Sequence, residues 1–222
     1  MSGRRVPEEQ SWHENGGDGT RHDRRPQRRT STAPVLHAIV LAAGCSRRFG
    51  SPKQLVKLDG ELLLHRVIAS AGEVAGSAVT VVLGANAAEI AAVLPPVGLH
   101  VNREWREGIG SSIRSAVRAL PGACDGALIV LADQPKVTAA SLRRLVMAWH
   151  HQPRHIIASR YSAVTGVPAI FPRWCFEELS ALRGDVGARA VIARHEDRVV
   201  PILVPEAEVD IDRPEDLLDL GS

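Results

Sequence analysis

The chain has 222 residues, of which 45% are hydrophobic, 23% charged and only 4% aromatic, with 27 basic and 25 acidic side chains. That composition excludes a fibrous or wholly disordered protein and fits one globular domain with at most an appendage. The excess of +2 is confined to residues 1–34, which hold seven arginines and five acids; the remainder carries 20 basic and 20 acidic groups, and so gives no bulk-charge argument for a nucleic-acid partner.

Residues 1–34 have almost no aliphatic side chains and no strand or helix period, so burial cannot offset the entropy of ordering them. A disordered basic tail is predicted there, followed by one domain at 35–222. The cysteines, Cys45, Cys124 and Cys175, are odd in number and form no Cys-x-x-Cys pair, which argues against a disulfide framework or thiolate zinc site and for a cytoplasmic setting. No apolar run approaches the roughly 20 residues of a membrane span, and the start lacks a signal-peptide centre, so no membrane association is expected.

From residue 35 the character changes. Residues 35–42 form a nearly continuous apolar run that ends in glycine and turn residues, the pattern of a strand buried on both faces. Similar runs recur at 78–83, 127–131, 155–158 and 199–204, and helical spacing appears at 62–74, 87–94, 112–120 and 141–149. This alternation predicts a three-layer α/β domain with a mostly parallel sheet. In such sheets ligands bind beyond the C-terminal ends of the strands, so those loops carry the candidate residues.

The first loop reads Leu41-Ala42-Ala43-Gly44-Cys45-Ser46-Arg47-Arg48-Phe49-Gly50-Ser51-Pro52-Lys53. Small residues let a ligand approach the backbone, consecutive N–H groups can line an anion, and Arg48 and Lys53 supply charge for phosphate oxygens. Only three basic residues of the chain are lysines, which adds weight to Lys53. Five residues separate Gly44 from Gly50, so this is not a Walker A loop. It is not a G-x-G-x-x-G fingerprint either, and no acid follows the second strand at Leu83-Gly84-Ala85-Asn86 to hold a ribose.

Three further stretches add polar groups. Gly108-Ile109-Gly110-Ser111-Ser112 before a helix suits a base edge or phosphate, or simple capping by either serine. Asp133, between a buried strand and Pro135, is a hard oxygen ligand of the kind magnesium takes, or an Asx turn. Asp210 and Asp212 alternate onto one side of an extended segment before Pro214 and Glu215, which begin a helix, and are further metal candidates, Asp212 first. The nine histidines are scattered, without zinc spacing, and no G-x-S-x-G elbow exists.

Leu41, Ala42, Ala43, Gly44, Ser46, Arg48, Gly50 and Lys53 resemble the L-A-A-G-x-S-x-R-x-G-x-x-K signature of molybdenum cofactor cytidylyltransferases, MobA-like nucleotidyltransferases. Asn102 to Ser112, Asp133-Gln134-Pro135, Gly166-Val167-Pro168 to Phe171, Gly184-Asp185-Val186-Gly187-Ala188-Arg189 and the stretch around Asp212 are similar to further family segments in the same order. The resemblance implies a Rossmann-like domain of the nucleotide-diphospho-sugar transferase type that transfers CMP from CTP to molybdopterin and releases pyrophosphate. Ala43 leans toward cytidine, because the guanylyl branch more often has glycine there. It implies magnesium, with manganese as an alternative, on Asp133, Asp212 and Asp210, and catalytic Arg48, Lys53 and Asp133. Nucleotide binding falls to Leu41, Ala42, Ala43, Gly44, Ser46, Arg48, Lys53, Ser112 and Asp133, acceptor binding to Gly166, Pro168, Asp185, Gly187 and Arg189, and the client is a molybdoenzyme. Asp185 as a helix cap and Arg189 as a surface residue are the plainer alternatives. Another phosphate monoester as acceptor, transfer of GMP, a non-catalytic molybdenum cofactor chaperone and a nicotinamide oxidoreductase stay open as readings.

Overall fold

The computed structural model describes residues 33–46 and 49–220. The expected tail lies outside them except for its last two residues, and so do Arg47 and Arg48.

The first strand, β1 (Leu36–Ala42), leads through a 3-10 turn at Lys53–Leu55 into a small hairpin of β2 (Lys57–Leu58) and β3 (Glu61–Leu62). Asp59 and Gly60 both take positive φ at its tip, as an Asp-Gly hairpin turn requires. Helix α1 (Leu63–Ala75) buries Leu64, Val67, Ile68 and Ala71 along one stripe and stops at Gly76, in positive φ. There follow β4 (Val79–Leu83), α2 (Ala87–Ala91), β5 (Gly98–Val101), α3 (Ile109–Arg118), β6 (Gly126–Leu131) and α4 (Ala139–His151). The chain closes with β7 (Ile156–Tyr161), β8 (Val164–Pro172), α5 (Phe176–Leu179), α6 (Arg189–Arg194) and β9 (Val199–Leu203).

Seven strands form one sheet in the order β5-β4-β1-β6-β8-β7-β9. Every neighbouring pair is parallel except the two that involve β8. The mostly parallel sheet expected from the sequence is therefore present, with β8 inverted for a local reason. Only Ser162 and Ala163 separate β7 from β8, whereas a parallel crossover needs a dozen or more residues. Side chains alternate across β1: Ala38, Val40 and Ala42 pack with α1 and α4, and Ile39 and Leu41 face the layer of α3 and α6. Both faces are covered, which is why the strand reads as an unbroken apolar run.

From β1 the chain winds outward through β4 to β5, then returns to β6 on the other side of β1. The loops leaving β1 and β6 diverge there and open a crevice at the carboxyl ends of the strands.

Three local expectations need correction. Helix α3 begins at Ile109, with Gly108 as its N-cap and no side-chain cap, so Ser111 and Ser112 lie in its first turn and do not cap it. Asp185 does not cap α6, whose N-cap is Ala188. The segment carrying Asp210 and Asp212 pairs with no strand, and Pro214–Leu220 is 3-10 rather than α. It is pinned instead by the Ile211 N–H, which donates to the Asp133 carbonyl (2.9 Å), and by the buried Ile211 side chain.

Candidate active site

The crevice is a cleft of about 500 Å³. Its first wall is the loop after β1. Among the described residues nothing stands within 4 Å of where a Gly44 Cβ would point, and Gly44 lines the cleft. Ser46 adopts φ 51°, a left-handed conformation uncommon outside glycine. Its hydroxyl accepts the Lys53 N–H (3.0 Å) and donates to Gln54 Oε1 (3.3 Å).

The opposite wall comes from the β5–α3 connection. Asn102, buried at the end of β5, donates from Nδ2 to the hydroxyls of Ser111 (2.8 Å) and Ser112 (3.0 Å) and accepts the Glu104 N–H (2.9 Å). Ser111 bonds the Gly108 and Glu104 carbonyls and is structural, while Ser112 lines the cleft. Trp105 also lines it, with the Arg106 guanidinium 4.5 Å over its ring. Arg114, buried in α3, holds this wall: it donates to Glu104 (2.8 Å), to Glu107 (2.5 and 2.9 Å) and to the Leu182 carbonyl (2.6 Å), while the Gly184 N–H also donates to Glu107 (3.2 Å). The Arg114 bonds, foremost, and then the Gly184 N–H lower the Glu107 carboxyl to about 2, and the two glutamates raise Arg114.

The floor is charged. Lys53 Nζ donates to Asp133 Oδ2 (2.5 Å), to the Ile211 carbonyl (3.2 Å) and to Asp212 Oδ1 (3.4 Å), so three oxygens surround its three hydrogens. Asp133 Oδ1 is buried and accepts no hydrogen bond among the described residues. Asp210 keeps part of its surface in solvent, yet desolvation of its carboxyl, followed by the charge of Asp133, raises it to about 6 against the opposing pull of Gln134 and Lys53. Among the described residues no three His, Cys, Asp or Glu side chains are assembled as a metal cage.

The structure thus brings Leu41, Ala42, Ala43, Gly44, Ser46 and Lys53 to one side of the cleft, with Ser112, Asp133, Asp185 and Asp212 around the rest. Arg48 lies outside the described residues. Gly166, Pro168, Gly187 and Arg189 do not line this cleft: Gly166 faces the Tyr161 hydroxyl, Pro168 passes its carbonyl to Ser159, Gly187 backs onto Ile109, and Arg189 borders a separate hollow of about 330 Å³ with Thr165 and Glu196. Sequence reasoning missed Gln54 and the Arg114 network, and had Trp105 only as a position of a matching segment without a role. A charged residue between Ile113 and Val117 on the apolar face of α3, with glutamates in the preceding turn, was the available signal for the network.

The chain matches the MobA-like NTP transferase domain over residues 38–199. It belongs to that family. It is a nucleotidyltransferase, and the family's substrate is a nucleoside triphosphate. The chain is 31% identical over 170 residues to the purine catabolism protein PucB of Bacillus subtilis (strain 168), covering 72% of this chain and 82% of that one. It is 29% identical, over the same shares, to the nicotine blue oxidoreductase of Paenarthrobacter nicotinovorans. The crystal structure of Rv0371c from Mycobacterium tuberculosis H37Rv is similar with a TM-score of 0.74 at 28% identity, over 85% of this chain and 98% of that one. The manganese complex of Rv0371c has a TM-score of 0.70 at 27% identity, over 83% and 97%. Among the described residues no helix is long and apolar enough to cross a membrane.

Proposed function

We propose that this nucleotidyltransferase moves CMP from CTP to the phosphate of molybdopterin, with release of pyrophosphate. The observation that carries the reading is the meeting of three groups in one cleft: the small-residue loop after β1, Lys53 held between Asp133 and Asp212, and Ser112 on the facing wall. The preference for CTP rests on Ala43, and that for molybdopterin on the resemblance of the loop to the cytidylyltransferases.

An acceptor phosphate already carries a nucleophilic oxygen, so the reaction needs no strong general base. An acceptor oxygen bonds to the α-phosphorus as the bond from that phosphorus to the bridging oxygen of the β-phosphate breaks, and pyrophosphate leaves with the electron pair. The obstacle is repulsion between two polyanions. Lys53 and the loop amides hold the triphosphate and stabilise charge on the departing pyrophosphate, a role the resemblance also gives Arg48. Ser112 meets the base edge, and Asp185, which lines the cleft, is assigned to the acceptor; Gly166, Pro168, Gly187 and Arg189, which do not line it, are assigned to the acceptor on the resemblance alone.

The donor set fits a hard divalent cation: Asp133 Oδ1 is a buried oxygen without a hydrogen-bond donor, and Asp212 stands across Lys53 from it. Magnesium, with manganese as the alternative seen in the Rv0371c complex, is assigned to Asp133 and Asp212, with Asp210 behind them. When bound, it neutralises phosphate oxygens and acts as a Lewis acid. The product would pass to a molybdoenzyme client.

Pyrophosphate release, measured with CTP, GTP, ATP and UTP against molybdopterin and common phosphate monoesters, tests the reading; release is expected with CTP and molybdopterin. Release only with GTP, or only with a sugar or polyol phosphate, moves the assignment within the enzyme class. Molybdopterin binding with no release under any pairing makes the chain a cofactor chaperone. One relative bears an oxidoreductase name, but this chain has Asn86, not an acid, after β4; absence of thermal stabilisation by NAD(P) is expected.

A further inference from the structure

Gln54 touches the phosphate loop at three points and is only 2% exposed. Its Nε2 donates to the carbonyls of Ala42 and Gly44, both at 3.0 Å, and its Oε1 accepts the Ser46 hydroxyl at 3.3 Å. All three partners belong to the loop after β1. In a trans peptide the C=O and N–H point in opposite directions, so carbonyls of Ala42 and Gly44 turned toward Gln54 leave the N–H groups of Ala43 and Cys45 directed away from it. The N–H groups of Gly44, Cys45 and Ser46 make no hydrogen bond to other described residues. Ser46, held left-handed at φ 51°, is fixed by Gln54 from one side and by the Lys53 N–H from the other. A chain of bonds therefore runs from the buried amide through the strained residue to Lys53.

We propose that Gln54 is a positioning residue for nucleotidyl transfer. It holds the loop in its anion-receiving shape before any triphosphate arrives, so that the cost of ordering the loop is met by folding and not by binding. The inference rests on the nucleotidyltransferase reading of the cleft. Loss of three bonds that each favour the receptive loop is expected to weaken triphosphate binding about 10- to 100-fold, while kcat at saturation changes far less, because Lys53 and Asp133 remain.

Cys45 gives a direct reading of the loop. It is partly exposed and lines the cleft, whereas Cys124 and Cys175 are buried and burial raises both thiols, Cys175 to about 12. A small thiol reagent near pH 7.5 thus labels Cys45 first. The test compares the wild type with Q54M, which keeps the volume, and Q54E, which sets a carboxylate oxygen against the Ala42 and Gly44 carbonyls. Calorimetric affinity for inorganic tripolyphosphate with magnesium, the rate of Cys45 labelling, and kcat and KM for CTP are measured on each. Weaker tripolyphosphate binding, a several-fold change in Cys45 labelling without ligand, and a raised KM with kcat largely kept in Q54M are expected. Wild-type affinity and wild-type labelling in both variants would overturn the role of Gln54 alone. A wild-type protein that binds no tripolyphosphate overturns the nucleotide reading, and with it this one.

Discussion

Gly84 stands between the two walls of the cleft, and replacing it with alanine tests whether their separation is set by contact. A Cβ there would lie 2.6 Å from the Trp105 Cβ, 2.7 Å from the Ala43 carbonyl and 2.9 Å from the Ala43 Cβ. Carbon atoms pack comfortably at about 3.5–4.0 Å, so the new methyl has to push the loop after β1 and the Trp105 wall apart by nearly an ångström. None of its three neighbours is the flexible end of a long side chain. Gly84 has no positive φ, so alanine adds no backbone strain and the effect is steric alone. Overpacking of this kind costs about 1–3 kcal/mol, or about 2–4 °C in Tm for each kcal/mol in a domain of this size. Urea denaturation of G84A is expected to show that loss, and tripolyphosphate affinity is expected to fall in the same variant. Wild-type stability together with wild-type affinity would show that the walls are not held apart by this contact.

Lys53→Met removes an ammonium that three oxygens surround; turnover is expected to fall about 10²–10³-fold, while Mn²⁺ titrated without nucleotide binds more tightly than to wild type, and unchanged turnover or weaker Mn²⁺ binding would refute the assignment. Asp212 lines the cleft and meets Lys53, whereas Asp210 does not line it, so D212N is expected to cost about tenfold more turnover than D210N; steady-state kinetics that reverse the order would exchange their roles. Glu107, lowered to about 2 from 4.5 by Arg114, contributes stability that is present above pH 4.5 and is lost as pH falls toward 2. The urea midpoint of wild type should therefore exceed that of E107Q above pH 4.5, and the gap should close toward pH 2; a gap that stays constant with pH would mean that the carboxylate charge is not what holds the loop.

How far the sequence was legible depended on whether a residue's role is local. The strand β1 is buried on both faces, so its role appears as an unbroken apolar run, and the loop after it announces itself by small residues and a rare lysine. Asp133 is equally readable, because a strand that ends in a carboxylate before proline places that carboxylate at the sheet's edge. The start of α3 is different: Gly108 and Gly110 are poor helix formers, and sequence reasoning placed the helix after them. What draws the helix back to Ile109 is close approach to a distant segment, since a Cβ on Gly110 would lie 2.9 Å from the Arg183 backbone and the Gly110 N–H donates to the Gly184 carbonyl (3.0 Å). Gln54 was invisible for the same reason: its meaning lies in carbonyls that only the fold turns toward it. The β2–β3 hairpin, by contrast, carried its Asp59-Gly60 signal openly and was overlooked.

The charge balance of the chain gains its meaning at the cleft floor. Outside residues 1–34 basic and acidic groups cancel, yet the cleft floor sets Asp133 and Asp212 on the ammonium of Lys53, with Asp210 near enough for its carboxyl to feel the charge of all three. Asp210, raised only to about 6, is still mainly ionised at neutral pH, so among the described residues this cluster of Lys53 and three carboxylates carries more negative than positive charge. A bare triphosphate would add further negative charge to a partly desolvated cavity, where screening is weak. The amides behind Gln54 offset part of that repulsion with fixed dipoles, but dipoles do not cancel three carboxylates. On the proposed reading the arrangement favours a triphosphate that arrives with its own cation: Asp133 and Asp212 would hold that cation, and Lys53, which now pairs with both, would then be available to a phosphate oxygen.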